Sequence, residues 1–430
     1  MKLVDINLCD LEQFTAGCPE IAFKLLRAQA PVWFHPPNEQ TPGNEGFWVI
    51  ARHADAKAVL KNHQVFSSET GNGARIGGGT TLDDMATDMA PGVVLAMMDP
   101  PKHDAIRGIV NQGFYPKNLA ALEGQIQALT DAILSDALAD IENTSGGNTH
   151  SGRSREIDFL QQIAAQLPLQ TICTIGGVPR EDWPKMLEWA EAAIAFAAHD
   201  RHTDTAPLIA KLTEMGLYAY GLIQQLRERP TGSIMSTIVH AQIPGEDDEP
   251  RQLDDLELIR FFNLLITGGT ETTRNAIAGG FYQLLQHPDQ YHALEGDLEG
   301  LIDDAVEEIL RWTSPVHFNR RTASENCTFA GKDIQRGDKV TVWYPSANRD
   351  ESVFDAPYSF NIFRTKNPHI AFGHGIHHCL GAALARQEIR IMISSLINRL
   401  RGKKVEAVAA PVYLRSNRHQ GISELRLRIS

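Results

Sequence analysis

Phe372-Gly373-His374-Gly375-Ile376-His377-His378-Cys379-Leu380-Gly381 is the stretch on which the reading of this chain turns. A glycine-rich turn runs into a cysteine, and apolar residues at helical spacing follow at once: Ala382, Leu384, Ile389, Met392, Leu396 and Leu400, with Arg386, Gln387 and Arg390 between them. This places Cys379 at or just before a helix N-terminus, where unpaired backbone N–H groups and the positive end of the helix dipole gather. Both favour a thiolate over a thiol. Gly373, Gly375 and Gly381 leave the backbone bare on both sides, so that a flat body can approach the sulfur. An isolated cysteine is most often a small buried hydrophobe; the surrounding frame is what argues otherwise here.

The frame reads F-G-x-G-x-H-x-C-x-G at every fixed position, and in this the chain resembles the cytochrome P450 family, above all its soluble, ferredoxin-dependent bacterial members. The resemblance implies haem b with Cys379 as the axial thiolate ligand of iron, donating electron density that favours O–O cleavage. Phe372, Gly373, His377 and Gly381 would flank that cofactor, His377 by a hydrogen bond to a propionate. A structural zinc site competes with this reading, because His369, His374, His377, His378 and Cys379 are crowded together. No C-x-x-C pair or second cysteine cluster accompanies them, which argues against zinc.

The whole chain bounds what such a site can serve. It has 430 residues, ordinary globular composition and a formal net charge of −13. That charge argues against nucleic acid or an anionic membrane as a bulk partner. The five cysteines (Cys9, Cys18, Cys173, Cys327, Cys379) are scattered, which suits a reducing compartment. Residues 1–14 lack a signal-peptide core, and no apolar run is long enough to span a bilayer. A cytoplasmic monomer without a membrane anchor is expected. Nothing divides the chain cleanly, so residues 1–430 are expected to form one domain.

Periodicity predicts helices over 20–29, 54–62, 119–139, 183–198, 206–229, 233–241, 253–285 and 302–312. Strands are predicted at 47–51, 320–323, 327–329 and 339–343, with 412–429 strand-like. The strand at 47–51 lies far from the others and is expected to pair with a late one. Residues 157–175 are apolar enough to be buried. Residues 69–95, with Gly71, Gly73, Gly77, Gly78, Gly79, Pro91 and Gly92, read as a long loop that is either disordered or functional, for example as a lid. Residues 142–155 read as an exposed linker or hairpin, Asp200, Arg201 and Asp204 as part of a turn, and Pro244-Gly245 with the acidic run at 246–249 as a helix stop. The result is a mainly α fold with a smaller β region. The resemblance specifies it further as the cytochrome P450 fold, a helical prism enclosing haem, with the loop at 69–95 over the haem and the helices at 183–229 as a mobile roof.

Gly268 and Gly269 interrupt the longest helix, at about 1 kcal/mol each relative to alanine. They serve either close helix packing or a groove in which a ligand lies against the backbone. Residues 268–273 match [A/G]-G-x-[D/E]-T-[T/S], which the family uses for oxygen activation. The resemblance makes Thr272 and Glu271 catalytic. Thr272 would hydrogen-bond oxygen or an ordered water; Glu271, about 100° round the helix, would pass protons inward from solvent. A helical threonine can instead bond back to the carbonyl four residues earlier, the plainer role for Thr273.

His103 and Arg107 share a helix face. They fit D-P-P-x-H-x-x-x-R, whose His and Arg contact haem propionates in bacterial members, and an arginine fork suits a carboxylate. A solvated basic face is the plain alternative. Arg321 stands where the family has a further propionate-binding arginine, with Arg320 as the one-residue alternative. Glu308 and Arg311 match E-x-x-R, and Arg364 is the partner supplied by P-x-x-F-x-x-x-R at 357–364. The family uses this triad structurally; taken alone, most such pairs are surface salt bridges worth under about 1 kcal/mol.

The reaction implied is insertion of one atom of O2 into an unactivated C–H bond, the other leaving as water. The chain carries no flavin or iron–sulfur motif, so a ferredoxin with its NAD(P)H-dependent reductase is the expected electron donor, docking on a face that carries Arg386 and other basic residues. Leu264, Thr267, Gly268, Val316 and His317, with Arg418 of the turn at 416–421, are the candidate substrate pocket, apolar with a few polar points. Residues 98–107 and 416–421 resemble segments of actinobacterial sterol and lipid hydroxylases, so a terpenoid, steroid or fatty-acid-like substrate is expected. A natural-product tailoring hydroxylase or epoxidase is the alternative. A non-catalytic haem sensor or carrier is an alternative of another class; sensors join the haem module to an output domain, for which no segment here is long enough.

Overall fold

A computed structural model describes residues 1–69, 75, 77–85, 91–142, 154–197, 203–244 and 249–430. Its principal helices are α1 (Glu20–Gln29), α2 (His53–Lys61), α3 (Lys102–Gly113), α4 (Pro116–Glu142), α5 (Gln166–Gly176), α6 (Trp183–Ala197), α7 (Ala206–Glu228), α8 (Ile234–His240), α9 (Asp255–Gln286), α10 (Pro288–Gly296), α11 (Leu298–Thr313), α12 (Tyr344–Ala347) and α13 (Ala382–Arg399). The strands are β1 (Val32–His35), β2 (Phe47–Ile50), β3 (Phe66–Ser67), β4 (Arg155–Asp158), β5 (Gln242–Pro244), β6 (Pro250–Gln252), β7 (Phe318–Ala323), β8 (Cys327–Phe329), β9 (Lys332–Ile334), β10 (Lys339–Trp343), β11 (Val405–Ala407), β12 (Val412–Tyr413), β13 (Ile422–Glu424) and β14 (Arg426–Ile429). The fold is mainly helical with a smaller β region, as the sequence predicts. Most of the expected linker at 142–155, Asp200 and Arg201, Gly71, Gly73, and the stop at 245–248 lie outside the described residues.

Helix α9 is the axis of the helical part. Its start is fixed by a reciprocal cap: the Glu257 N–H donates to Asp254 at 2.8 Å, and the Asp254 N–H donates back to Glu257 at 3.0 Å. Phe262, Ile266, Ile277 and Phe281 along it are wholly buried, each contributing about 1.5–3 kcal/mol by leaving water. Small residues set its neighbours' distances. A Cβ on Gly269 would lie 2.9 Å from Ile172 of α5, and one on Gly280 would lie 2.5 Å from Ile309 of α11. Substituting either would push a packed helix outward.

The larger sheet runs β1-β2-β10-β7-β3. β2 pairs parallel with β10, Thr341 opposite Val49, so the early strand does meet a late one. β14 sits between β11 and β4, which ties the last strand to residue 155. Phe318 and Trp343 pack at 4.8 Å in the core under the larger sheet.

The E-x-x-R pair is not a surface bridge. Glu308 and Arg311 are both 0 % exposed. Arg311 donates from Nε and Nη2 to the two Glu308 oxygens, at 2.7 Å each, and from Nη1 to the carbonyls of Asn348 and Pro357 at 3.0 and 2.9 Å. Arg364 Nε donates to the same carboxylate at 3.2 Å, Asn367 Nδ2 at 3.1 Å and the Asn361 N–H at 2.8 Å. Removing one partner of such a group strands a charge in the interior. Glu308→Ala is expected to destabilise the protein by about 3–5 kcal/mol, read from the urea unfolding midpoint; a loss under about 1 kcal/mol would fit only a surface-type pair.

Candidate active site

A cavity of about 330 Å³ opens between the middle of α9 and the loop at 371–381. The loop is folded tightly by its own backbone: Cys379 N–H donates to the Phe372 carbonyl at 2.9 Å, and His378 N–H to Gly375 at 3.1 Å. Gly373 and Gly375 take φ of +73° and +75°, where side chains are strained. Cys379 stands three residues before Ala382, the first residue of α13, and its thiol is open to the cavity. Gly373 and Gly381 also line the cavity. Gly375 does not: a Cβ there would run into the Leu60 carbonyl of α2. Its bareness serves a protein contact and not the approach of a flat ligand.

The helix end does not lower the thiol's pKa on balance. Burial pushes Cys379 above the ordinary thiol value, while the Gly381 N–H, Arg107 and Arg386 pull the other way without offsetting it. A cation coordinated by the sulfur would supply what is missing, since a metal-bound thiol is deprotonated outright. Cys173 of α5 is no rival. It is 0 % exposed, lies off the cavity, and burial pushes it up to about 12.

Basic groups collect at one edge of this cavity. Arg107 and His377 line it. Arg107 donates to Asn111 Oδ1 and to the His378 carbonyl, each at 2.8 Å, which joins α3 to the cysteine loop. The rings of His103 and His377 lie 4.4 Å apart, and the Nε2 of each is buried without a partner. Burial, followed by the charges of Arg321, His103 and Arg107, pushes His377 down to about 2. Arg321 is 3 % exposed and donates to the Arg320 carbonyl at 2.9 Å; no ion pair holds it among the described residues. Strand alternation sends Arg320 to the opposite face, where it pairs with Asp84 at 2.7 Å. Arg321 is therefore the arginine on the cavity side.

On α9, the two roles considered for the glycine pair fall one to each residue. Nothing closer than Leu264 at 4.0 Å would meet a Cβ on Gly268, which faces open space, whereas Gly269 is held by packing on Ile172. Thr272 Oγ1 donates to the Gly268 carbonyl at 3.1 Å, so the back-bond expected of Thr273 is made by Thr272, whose oxygen still offers lone pairs to the cavity. Glu271 is buried, with Oε1 3.2 Å from His419 Nδ1. Burial opposes its charge, but His419, Arg274 and Arg418 together hold it below the usual carboxyl range.

Leu264, Gly268 and Val316 line the cavity as predicted; Thr267, His317 and Arg418 do not. Thr267 lies round the helix and bonds to Asn263 O at 2.8 Å. His317 turns onto Phe14, ring centres 5.0 Å apart, and burial pushes it down to about 3. Arg418 is held by the carbonyls of Thr80 and Phe318. The cavity also has walls that the sequence reading missed, among them Phe114 and Phe261. The signal for both was spacing, since Phe261 is seven residues before Gly268 and Phe114 seven after Arg107. On the outer side of α13, Arg386 is engaged with Glu307 at 2.5 and 2.9 Å and Arg390 with Asp303 at 3.2 Å. The groove there also holds Glu123 and Asp304, so the expected basic docking face is of mixed charge.

Residues 221–412 match the family model described as cytochrome P450. The chain is 40% identical over 424 residues to "Putative cytochrome P450 126" of Mycobacterium tuberculosis, covering 98% of this chain and 97% of that one. The chain belongs to the cytochrome P450 family. This P450 is also 34% identical over 433 residues to the methyl-branched lipid omega-hydroxylase of the same organism, covering 99% and 95% of the two chains. Among solved structures, the Mycobacterium marinum cytochrome P450 CYP268A2 in complex with pseudoionone is similar, with a TM-score of 0.80 at 31% identity over 95% of this chain and 94% of that one. Among the described residues no helix is long and apolar enough to cross a membrane.

As a cytochrome P450 the protein is a monooxygenase whose cofactor is haem b with an axial cysteine thiolate. The cavity fits that group on its own chemistry. A thiol faces it from one side and a bare helix stripe from the other, and at one edge Arg107, Arg321 and His377, which have no carboxylate partner among the described residues, gather beside His103, with two orphaned ring nitrogens. His103, Arg107, Arg321 and His377 would hold the two propionates. Deleting one charged hydrogen bond of this kind costs about 1.5–3 kcal/mol. Arg321→Leu is therefore expected to speed haem transfer to apomyoglobin by roughly ten- to a hundredfold; an unchanged rate would exclude Arg321 from the propionate site.

Proposed function

We propose that this P450 hydroxylates an unactivated C–H bond of a small, mainly apolar substrate, terpenoid, steroid or fatty-acid-like, with electrons from a ferredoxin and its NAD(P)H-dependent reductase. The observation that carries the reading is the wall facing Cys379. Phe261, Leu264, Leu265, Gly268 and Thr272 form one stripe of α9, apolar along its length and opened to the backbone at Gly268. A methyl-branched lipid and pseudoionone are named for two similar proteins, in keeping with an apolar guest. Polar lining is sparse and partly self-satisfied: Asn319 Nδ2 donates to Tyr344 Oη at 2.9 Å. Such a pocket binds by excluding water from apolar surface and offers few points for orienting a polar group.

Haem, when bound, supplies the redox chemistry that activates O2. The chain's own residues bind, exclude water and move protons. Phe114, Phe261 and Leu264 hold the substrate's apolar body and keep bulk water from the reacting carbon. Thr272, its proton engaged by Gly268 O, accepts a hydrogen bond through its lone pairs and fixes a donor over Gly268. Glu271, the adjacent residue, is the acid from which that donor is replenished. Cys379 would be the ligand, with Gly381 N–H and Arg107 beside it. The Glu308–Arg311–Arg364 group would act structurally, keeping the loop in place. The sequence has no flavin or iron–sulfur motif, which is the support for a separate ferredoxin. The mixed charge along α13 implies that docking uses oriented pairs such as Arg386–Glu307 and not a plain basic field.

Titrating the ferric enzyme with a methyl-branched fatty acid, a terpenoid ketone and a steroid is expected to give, for at least one, the low- to high-spin shift of the Soret band that follows displacement of haem water. No shift with any of the three would contradict the substrate class. Thr272→Ala is expected to keep that shift while product per NAD(P)H falls about tenfold or more and peroxide rises. Unchanged coupling in this variant would remove Thr272 from proton delivery.

A further inference from the structure

Around Glu271 the structure gathers buried polar atoms that make no hydrogen bond. Asn275 Nδ2 on α9, Gln420 Oε1 on the turn between β12 and β13, and the ring nitrogens of His317 are such atoms, around the pair that Glu271 Oε1 and His419 Nδ1 make at 3.2 Å. Each such atom costs about 1–3 kcal/mol if left unsatisfied, and several together from three segments are the signature of a seam that holds ordered water.

The local backbone explains why they meet. His317 N–H donates to the Arg418 carbonyl and Gln420 N–H to Pro315, each at 2.9 Å, so that Val316 and His419 are directly opposed on antiparallel chain segments. Opposed residues project to the same side. Val316 lines the cavity wall, and His419 beside it reaches α9 at Glu271, 3.2 Å away. Gly421 permits this closeness, because a Cβ there would lie 2.5 Å from the Asn275 side chain, one turn beyond Glu271.

We propose that His419 recharges Glu271 with protons: a proton passes from the imidazolium to the carboxylate, and the imidazole takes another from the water seam lined by His317, Gln420 and Asn275. His419 acts through Glu271 and does not touch the substrate. The proposal rests on Glu271 and Thr272 being the proton-delivering pair. The other charged groups facing Glu271 are Arg274 and Arg418, with Glu191 acting in turn on Arg274. Arginine stays protonated and gives up no proton at working pH; Arg418, even with burial pulling it down to about 10, is no exception. His317, which burial holds neutral, can hand a proton along but not store one. That leaves His419 as the group in reach of Glu271 whose ring can both give and take a proton.

The test uses the haem-loaded enzyme reduced by a surrogate plant ferredoxin and its reductase, with O2 as the only acceptor. Proton supply decides whether O2 leaves as peroxide or as water. In the wild type the peroxide fraction is expected to rise with pH. In His419→Gln it should be higher at pH 6.5, on the order of tenfold, and flat with pH. His419→Asn, which can hydrogen-bond but not titrate, should behave alike, whereas a merely structural role would be rescued by one of the two. A second readout is independent of turnover: the infrared carboxylate band that disappears in Glu271→Gln should shift in His419→Gln. An unmoved band, or a wild-type pH profile in both His419 variants while Glu271→Gln raises peroxide, overturns the proposal and leaves the role of Glu271 standing. A wild-type peroxide fraction in Glu271→Gln itself overturns both.

Discussion

The carboxylate of Glu308, sealed from water and shared among Arg311, Arg364, Asn367 and the Asn361 N–H, sets the distance between the two walls of the cavity. A buried charge is tolerable only when its lone pairs are all answered, and here the answers come from segments far apart in sequence. Glu308 rides on α11, which packs against α9 where Gly280 lets Ile309 come close. Its partners lie on the stretch that runs into the cysteine loop. Asn348 extends the link: its carbonyl accepts from Arg311, and its side chain accepts from the Ile370 N–H at 2.8 Å. One ionic group thus holds the glycine-opened helix on one side and the cysteine on the other.

Between those walls the chemistry is strongly polarised. The face made by α9 is apolar, and the opposite face presents a thiol. One edge holds Arg107, Arg321 and His377 beside His103, whose Nδ1 is paired with Asp104 at 2.8 Å. Such a distribution is costly for the protein alone and favourable with a flat, apolar dianion carrying a metal. The arrangement selects the cofactor by shape and by charge together. A turn near the end of the chain, at 416–421, closes onto α9 at Glu271.

Much of this was legible in the sequence where local spacing fixes geometry. The cysteine frame, the Gly268–Thr273 segment, the His103–Arg107 face and the E-x-x-R pair each depend on positions within one loop or helix, and their cavity-facing or buried placement followed. What was not legible depends on which way a side chain points after distant segments meet. Thr267 and Gly268 are neighbours on α9, yet only one lines the cavity. Val316 and His317 alternate across an extended segment, so one faces the cavity and the other Phe14. The turn at 416–421, remote in sequence, packs over Glu271, which its position on α9 could not show. Gly375 looked like part of a ligand cradle until α2 packed against it. The same distance in sequence hid β4, whose partner β14 ends the chain.

The central claim is that Cys379, as a thiolate, is the axial ligand in this cavity. The visible spectrum of the reduced protein under carbon monoxide tests it most directly, compared among the wild type, Cys379→Ala and Cys173→Ala. A strongly red-shifted Soret band in the wild type and in Cys173→Ala, lost in Cys379→Ala, is the predicted result. A band at the position of a histidine-ligated haem in the wild type, or one that survives in Cys379→Ala, would contradict the account.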